Sequence, residues 1–142
     1  MLEKVYQSEF AMIKIDDSKF FTSIVWTEGT THLEDYVYRK EVLNFIEIMK
    51  KHQTRYVLDD ARLFNMPIVP ETQEWVAKMY SEKGVESLEK YAMLMPQDYI
   101  SKLSASQNIT EAATQRAEDV MVLVRQFNAM DTAMSWLGIG NA

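Results

Sequence analysis

The hydrophobic pattern of this chain changes period between residues 10 and 60, and that change restricts the available folds more than any other feature. From Phe10 to Asp16 it alternates: Ala11, Ile13 and Ile15 fall on one side, Met12, Lys14 and Asp16 on the other. A period of two belongs to a strand with one buried face. Further on the period lengthens, and Val42, Phe45, Ile46 and Met49 recur at i, i+3, i+4 and i+7. That is the single stripe of an amphipathic helix. Tyr56-Val57-Leu58 is then a short apolar run ending at Asp59-Asp60, as in a buried central strand. Strand, helix and buried strand in succession call for an α/β fold.

Local signals fill in the remainder. Asp17-Ser18-Lys19 supplies turn chemistry, and Phe20 to Trp26 is rich in β-branched and aromatic residues, so an N-terminal antiparallel hairpin is expected. Thr31 and Glu34 have capping-box spacing for the helix that runs to about Lys51. Ala61 to Val69 reads as a loop, and Pro70 suits the first turn of a helix with Trp75, Val76, Met79 and Tyr80 inward. Gly84 is expected as its left-handed cap. Tyr91 to Met95 is a further short strand, joined by a right-handed parallel crossover. Pro96 is expected to open a helix carrying Tyr99, Ile100 and Leu103, and Asn108 with Glu111 to cap another. Leu123 to Phe127 reads either as helix or as an edge strand. Asn128 is expected to cap a last helix with Met130, Ala133, Met134 and Leu137 inward, before a frayed tail over 138–142. With neither repeat nor linker, residues 1–142 read as one domain with its core over about 10–137. The expected sheet is mixed, with four or five strands and helices mainly on one face.

Composition narrows the chemistry. The chain has no cysteine, which excludes disulfides, thiolate metal sites and cysteine nucleophiles. His32 and His52 lie at opposite ends of one expected helix, about 30 Å apart, so they share no metal or proton relay. Gly29, Gly84, Gly138 and Gly140 match neither phosphate-loop nor dinucleotide spacing. A net charge of -6 disfavours nucleic acid and anionic membranes as partners. Neither a signal peptide nor a membrane span is visible, so a cytoplasmic location is expected. The basic cluster Lys50, Lys51, His52 and Arg55 sits where a helix C-terminus attracts cations; an anion or partner site is the other reading.

Asp59-Asp60 is the leading candidate site. Adjacent strand residues point to opposite faces, so the two carboxylates are not expected to converge as an acid/base pair. Their position is the functional signal. Ligands of open α/β sheets bind beyond the carboxyl ends of parallel strands, where Asp59, Asp60 and Arg62 fall, with Gln97 at the neighbouring strand end. Helix N-termini there would suit an anionic group. The ten methionines read chiefly as core, Met49, Met79, Met93 and Met134 among them. The alternative is a pliable apolar groove lined by Trp26 and Trp75.

These landmarks carry a family resemblance. Trp26 closes the second strand and Thr31 opens the helix; Tyr56-Val57-Leu58-Asp59-Asp60, Pro70-Glu71-Thr72-Gln73-Glu74-Trp75 and Tyr91-Ala92-Met93-Leu94-Met95 follow. Phe127 and Ala133-Met134-Ser135-Trp136-Leu137 complete the series. In order and spacing the chain resembles the small bacterial STAS-like proteins, related to anti-sigma-factor antagonists. The resemblance implies a mixed sheet and a non-enzymatic role as regulatory switch or interaction module, in some cases binding nucleotides or other small ligands. The switch motif of such domains, Asp-Ser-x-Gly, is replaced here by Asp59-Asp60-Ala61-Arg62, with no serine, threonine or glycine up to Pro67. A phosphoserine switch is therefore not expected. The leading expectation is a non-catalytic STAS-like interaction domain, cofactor-free and homodimeric, with a possible protein partner. The alternative is a carrier of an apolar or acyl ligand.

Overall fold

The alternation at residues 11–16 builds a strand, but not the outermost one. The computed structural model describes residues 1–96 and 122–140. In it β1 (Glu3–Gln7) pairs antiparallel with β2 (Ala11–Asp16), and β2 with β3 (Phe21–Trp26). β4 (Tyr56–Asp60), β5 (Lys90–Leu94) and β6 (Leu123–Phe127) then add in parallel. The result is an α/β fold whose mixed sheet has, among the described residues, six strands in chain order.

The strand beyond the expected four or five is β1. Its residues are exposed except for the partly buried Tyr6, so no alternation marks it. Its register shifts between Lys4 and Tyr6. Charges and a bulge on an edge strand discourage pairing with another chain. Leu123–Phe127 is a strand, and it runs parallel to β5.

Strand parity distributes the core over two faces. Ile13, Ile24 and Val57 face α1 (Asp35–Lys51), whose Val42, Phe45, Ile46 and Met49 are buried against them; Trp75 and Val76 of α2 (Pro70–Lys83) pack on the same cluster. Phe21, Leu58, Ala92 and Leu94 face the other way, onto Ala133, Met134 and Leu137 of α3 (Met130–Leu137). Strands β4 and β5 are thus apolar on both sides, as a parallel pair beneath helices requires. Met49 and Met134 are buried, while Met79 and Met93 are partly buried against the α1 side.

Three helix ends differ from expectation. Thr31 and Glu34 form no capping box; a 3-10 turn covers Glu28–His32, capped by the Thr27 side chain, and α1 starts at Asp35. The buried Thr30 explains this, because its hydroxyl donates to Thr27 O and accepts from Asn65 N–H, pinning the turn to the loop after β4. Gly84 has φ 29 and ψ 130, which is not the left-handed cap; its N–H closes the last turn on Tyr80 O. Asn128 does not cap α3. Ala129 holds that position, and the Thr132 hydroxyl donates back to its carbonyl. The helices expected after Pro96 and from Asn108 lie outside the described residues, as does Gln97. Among the described residues no helix is long and apolar enough to cross a membrane.

Candidate functional site

Parity separates Asp59 from Asp60, and each finds a different environment. Asp59 lies opposite Ile24 on β3 and Met93 on β5. Trp26, two residues past Ile24, and Tyr91, two before Met93, share its face. The Trp26 indole N–H donates to Asp59 Oδ1 at 3.0 Å, and the Tyr91 hydroxyl donates to Oδ2 at 2.6 Å. Asp59 is 8% exposed and, among the described residues, forms no ion pair. Burial therefore pushes its carboxyl up to about 6, against the two hydrogen bonds that favour the anion; the Asp60 charge adds to the rise. Burial, reinforced by Asp59, also raises the Tyr38 and Tyr91 phenols.

An aromatic roof covers this carboxyl's neighbourhood. Trp26 meets Phe64 edge-on with centroids 5.2 Å apart, and Tyr38 lies 5.7 Å from each. Tilted and edge-on contacts of this kind are the favoured arrangement of packed aromatic rings. Trp75 occupies another surrounding. It is half-buried on α2, 5.0 Å from the Arg39 guanidinium. Arg39 in turn bonds Asp35 and Thr72, and Thr72 donates to Asp35, which ties the start of α1 to the start of α2. The Thr72 hydroxyl first, and Arg39 after it, hold the Asp35 carboxyl below its ordinary range.

Asp60 points to the opposite face and is closed on its own arginine. Arg62 Nε donates to Oδ1 at 3.0 Å and Nη2 to Oδ2 at 2.8 Å; the Arg62 N–H adds a third bond at 3.2 Å. The expected divergence of the two carboxylates is observed. The site thus brings together Asp59 with Trp26 and Asp60 with Arg62, but not the two pairs with each other.

The loop over residues 61–69 is held firmly. Besides the Asn65 bond to Thr30, the Thr30 hydroxyl approaches Leu63 O at 3.3 Å, and the Gln73 amide donates to Ile68 O at 2.9 Å. Held this way, the loop leaves Leu63 50% and Val69 53% exposed, while Phe64 turns inward. Tyr36, beside Asp35 at the start of α1, is 59% exposed. Tyr38, Phe64, Tyr91 and this exposed group are not among the site residues expected from the chain. Tyr91 carried a usable signal, since an aromatic hydroxyl on a central strand needs a buried partner.

His52 caps α1 and sits with Nδ1 3.0 Å from Asp17 Oδ1. Among the described residues no group of three histidine or acidic side chains converges as a metal site. No protein-family model matches the chain, and neither does any curated protein or solved structure.

Proposed function

We propose that the chain is a non-catalytic, STAS-like interaction domain that self-associates as a homodimer through the carboxyl-end rim of its parallel strands. The observation that carries this reading is the exposure of Leu63, Val69 and Tyr36 on segments anchored to one another at that rim. Large apolar side chains grouped on a fixed surface suit a protein interface. Two-fold dimers are the commonest closed assembly of soluble chains. The engagement of Asp59 and Asp60 by internal donors also fits a binding surface better than a reaction centre. With no serine or threonine between Asp59 and Pro67, recognition at this rim rests on shape and apolar contact rather than on phosphorylation. Native mass spectrometry of freshly purified protein tests the reading: it predicts a dimer at twice the bare chain mass. A monomer, or a chain that carries a releasable small molecule as a carrier would, counts against it.

A further inference from the structure

At the opposite end of the parallel strands lies an open cleft of about 650 Å³ between the C-termini of α1 and α2. Phe20, Lys50, Gln53, Arg55, Lys83 and Val85 line it. Its charge runs against that of the chain. The protein carries a net -6, yet Lys50, Arg55 and Lys83 line this cleft, with Glu86 the one acid in the lining and Glu89 beside Arg55. Arg55 is committed to Glu89 and lies against the rings of Phe20 and Tyr56. Among the described residues Lys50 and Lys83 have no ion-pair partner.

Lysines in the last turns of two helices offset the helix dipoles, which accounts for the two charges alone. The backbone adds a second feature: two left-handed helix caps here are held by residues other than glycine. Among the described residues only Phe20 (φ 53) and Gln53 (φ 50) are non-glycine residues with positive φ, and both line this cleft. Glycine ordinarily takes such positions, because a Cβ is strained there. Here the strained backbone presents a ring that is 40% exposed and an exposed side-chain amide. Strained residues gathered at one concave place are a mark of ligand sites.

We infer that this cleft binds a small anion carrying an aromatic ring, the ring against Phe20 and the acid group between Lys50 and Lys83. The volume suits a small-molecule site, and exposed lysines supply charge without first breaking an internal pair. The site is independent of the rim interface proposed above.

Titration of the isotope-labelled full chain by amide NMR tests this, with phenyl phosphate, inorganic phosphate and benzyl alcohol as probes. Phenyl phosphate is expected to shift the Gln53, Gly84 and Val85 signals saturably, with a Kd of about 1 mM or tighter. Each of the other probes is expected to bind at least about tenfold more weakly. Lys50→Glu with Lys83→Glu should lose the same factor with the rest of the spectrum unchanged. So should Phe20→Gly, in which glycine fits the left-handed backbone. No saturable shift, an equal response to inorganic phosphate, or binding that survives the double lysine variant would overturn the inference.

Discussion

The phenol of Tyr91 donates to the buried Asp59 carboxylate across 2.6 Å, linking two neighbouring parallel strands through a charge that has no cationic partner among the described residues. Burial raises the Asp59 pKa from 3.8 to about 6, so the folded chain holds this proton more tightly than the unfolded one. The stability this group contributes is then fully present below the unfolded value and lost as pH rises through about 6. The full swing is about 3 kcal/mol, of which about 1 kcal/mol is recovered between about pH 7 and about pH 5. Urea midpoints are expected to rise on that acidification. Asp59→Asn keeps the size, removes the titration and should flatten the rise. Below about pH 4 the trend reverses, because the unfolded chain takes up a proton on Asp16 there, whereas in the fold the Ser18 hydroxyl and then the Met1 amino group hold that carboxyl down to about 2.

Removing the phenolic hydroxyl exposes the same coupling from the other side. Tyr91→Phe leaves Asp59 with the Trp26 indole as its one side-chain donor among the described residues. An under-satisfied buried acceptor costs about 1–3 kcal/mol. The loss should be larger at neutral pH, where Asp59 is ionised, than at about pH 5, where it is mostly protonated. Denaturation of both proteins at the two pH values checks this. An equal loss at both would mean that the hydroxyl is not serving the anion.

A second buried pair shows the asymmetry of hydrogen bonding. The hydroxyls of Thr22 and Thr54 are 2.6 Å apart, and both residues are fully buried. Thr54→Val strands the Thr22 hydroxyl and should cost about 1–3 kcal/mol. Thr22→Val together with Thr54→Val removes both partners and should restore much of that loss. A thermal double-mutant cycle reads the difference; additive losses would contradict the pairing.

Several of these relationships were readable in the chain, for physical reasons. Val42, Phe45, Ile46 and Met49 announce α1 because a helix repeats its environment every turn. The opposite faces of Asp59 and Asp60 follow from strand parity alone. β1 was illegible because an edge strand of exposed residues repeats nothing. The partners of Asp59 were illegible because Trp26 and Tyr91 stand 33 and 32 residues away. Only the parallel register of β3, β4 and β5 brings them together. The placement of Leu63 likewise depends on Thr30, fixed from across the fold.

Gln53 ends α1 in a position that glycine ordinarily fills. Thr54 N–H bonds Met49 O and Gln53 N–H bonds Lys50 O, the Schellman pattern, with Gln53 at φ 50. Gln53→Gly relieves the left-handed strain and should stabilise the fold by about 0.5–1 kcal/mol, after the added freedom of the unfolded chain is deducted. Thermal denaturation checks it; a destabilised variant would mean that the Gln53 side chain holds the fold at this turn.

The proposed dimer depends most on the exposed rim that carries Leu63 and Val69. Sedimentation velocity of the full chain beside the Leu63→Asp, Val69→Asp double variant tests it most directly. Both residues are exposed, so the variant should keep its fold by circular dichroism. A rim interface requires a wild-type dimer that the double variant converts to monomer, whereas a wild-type monomer, or a dimer untouched by both charges, would rule it out.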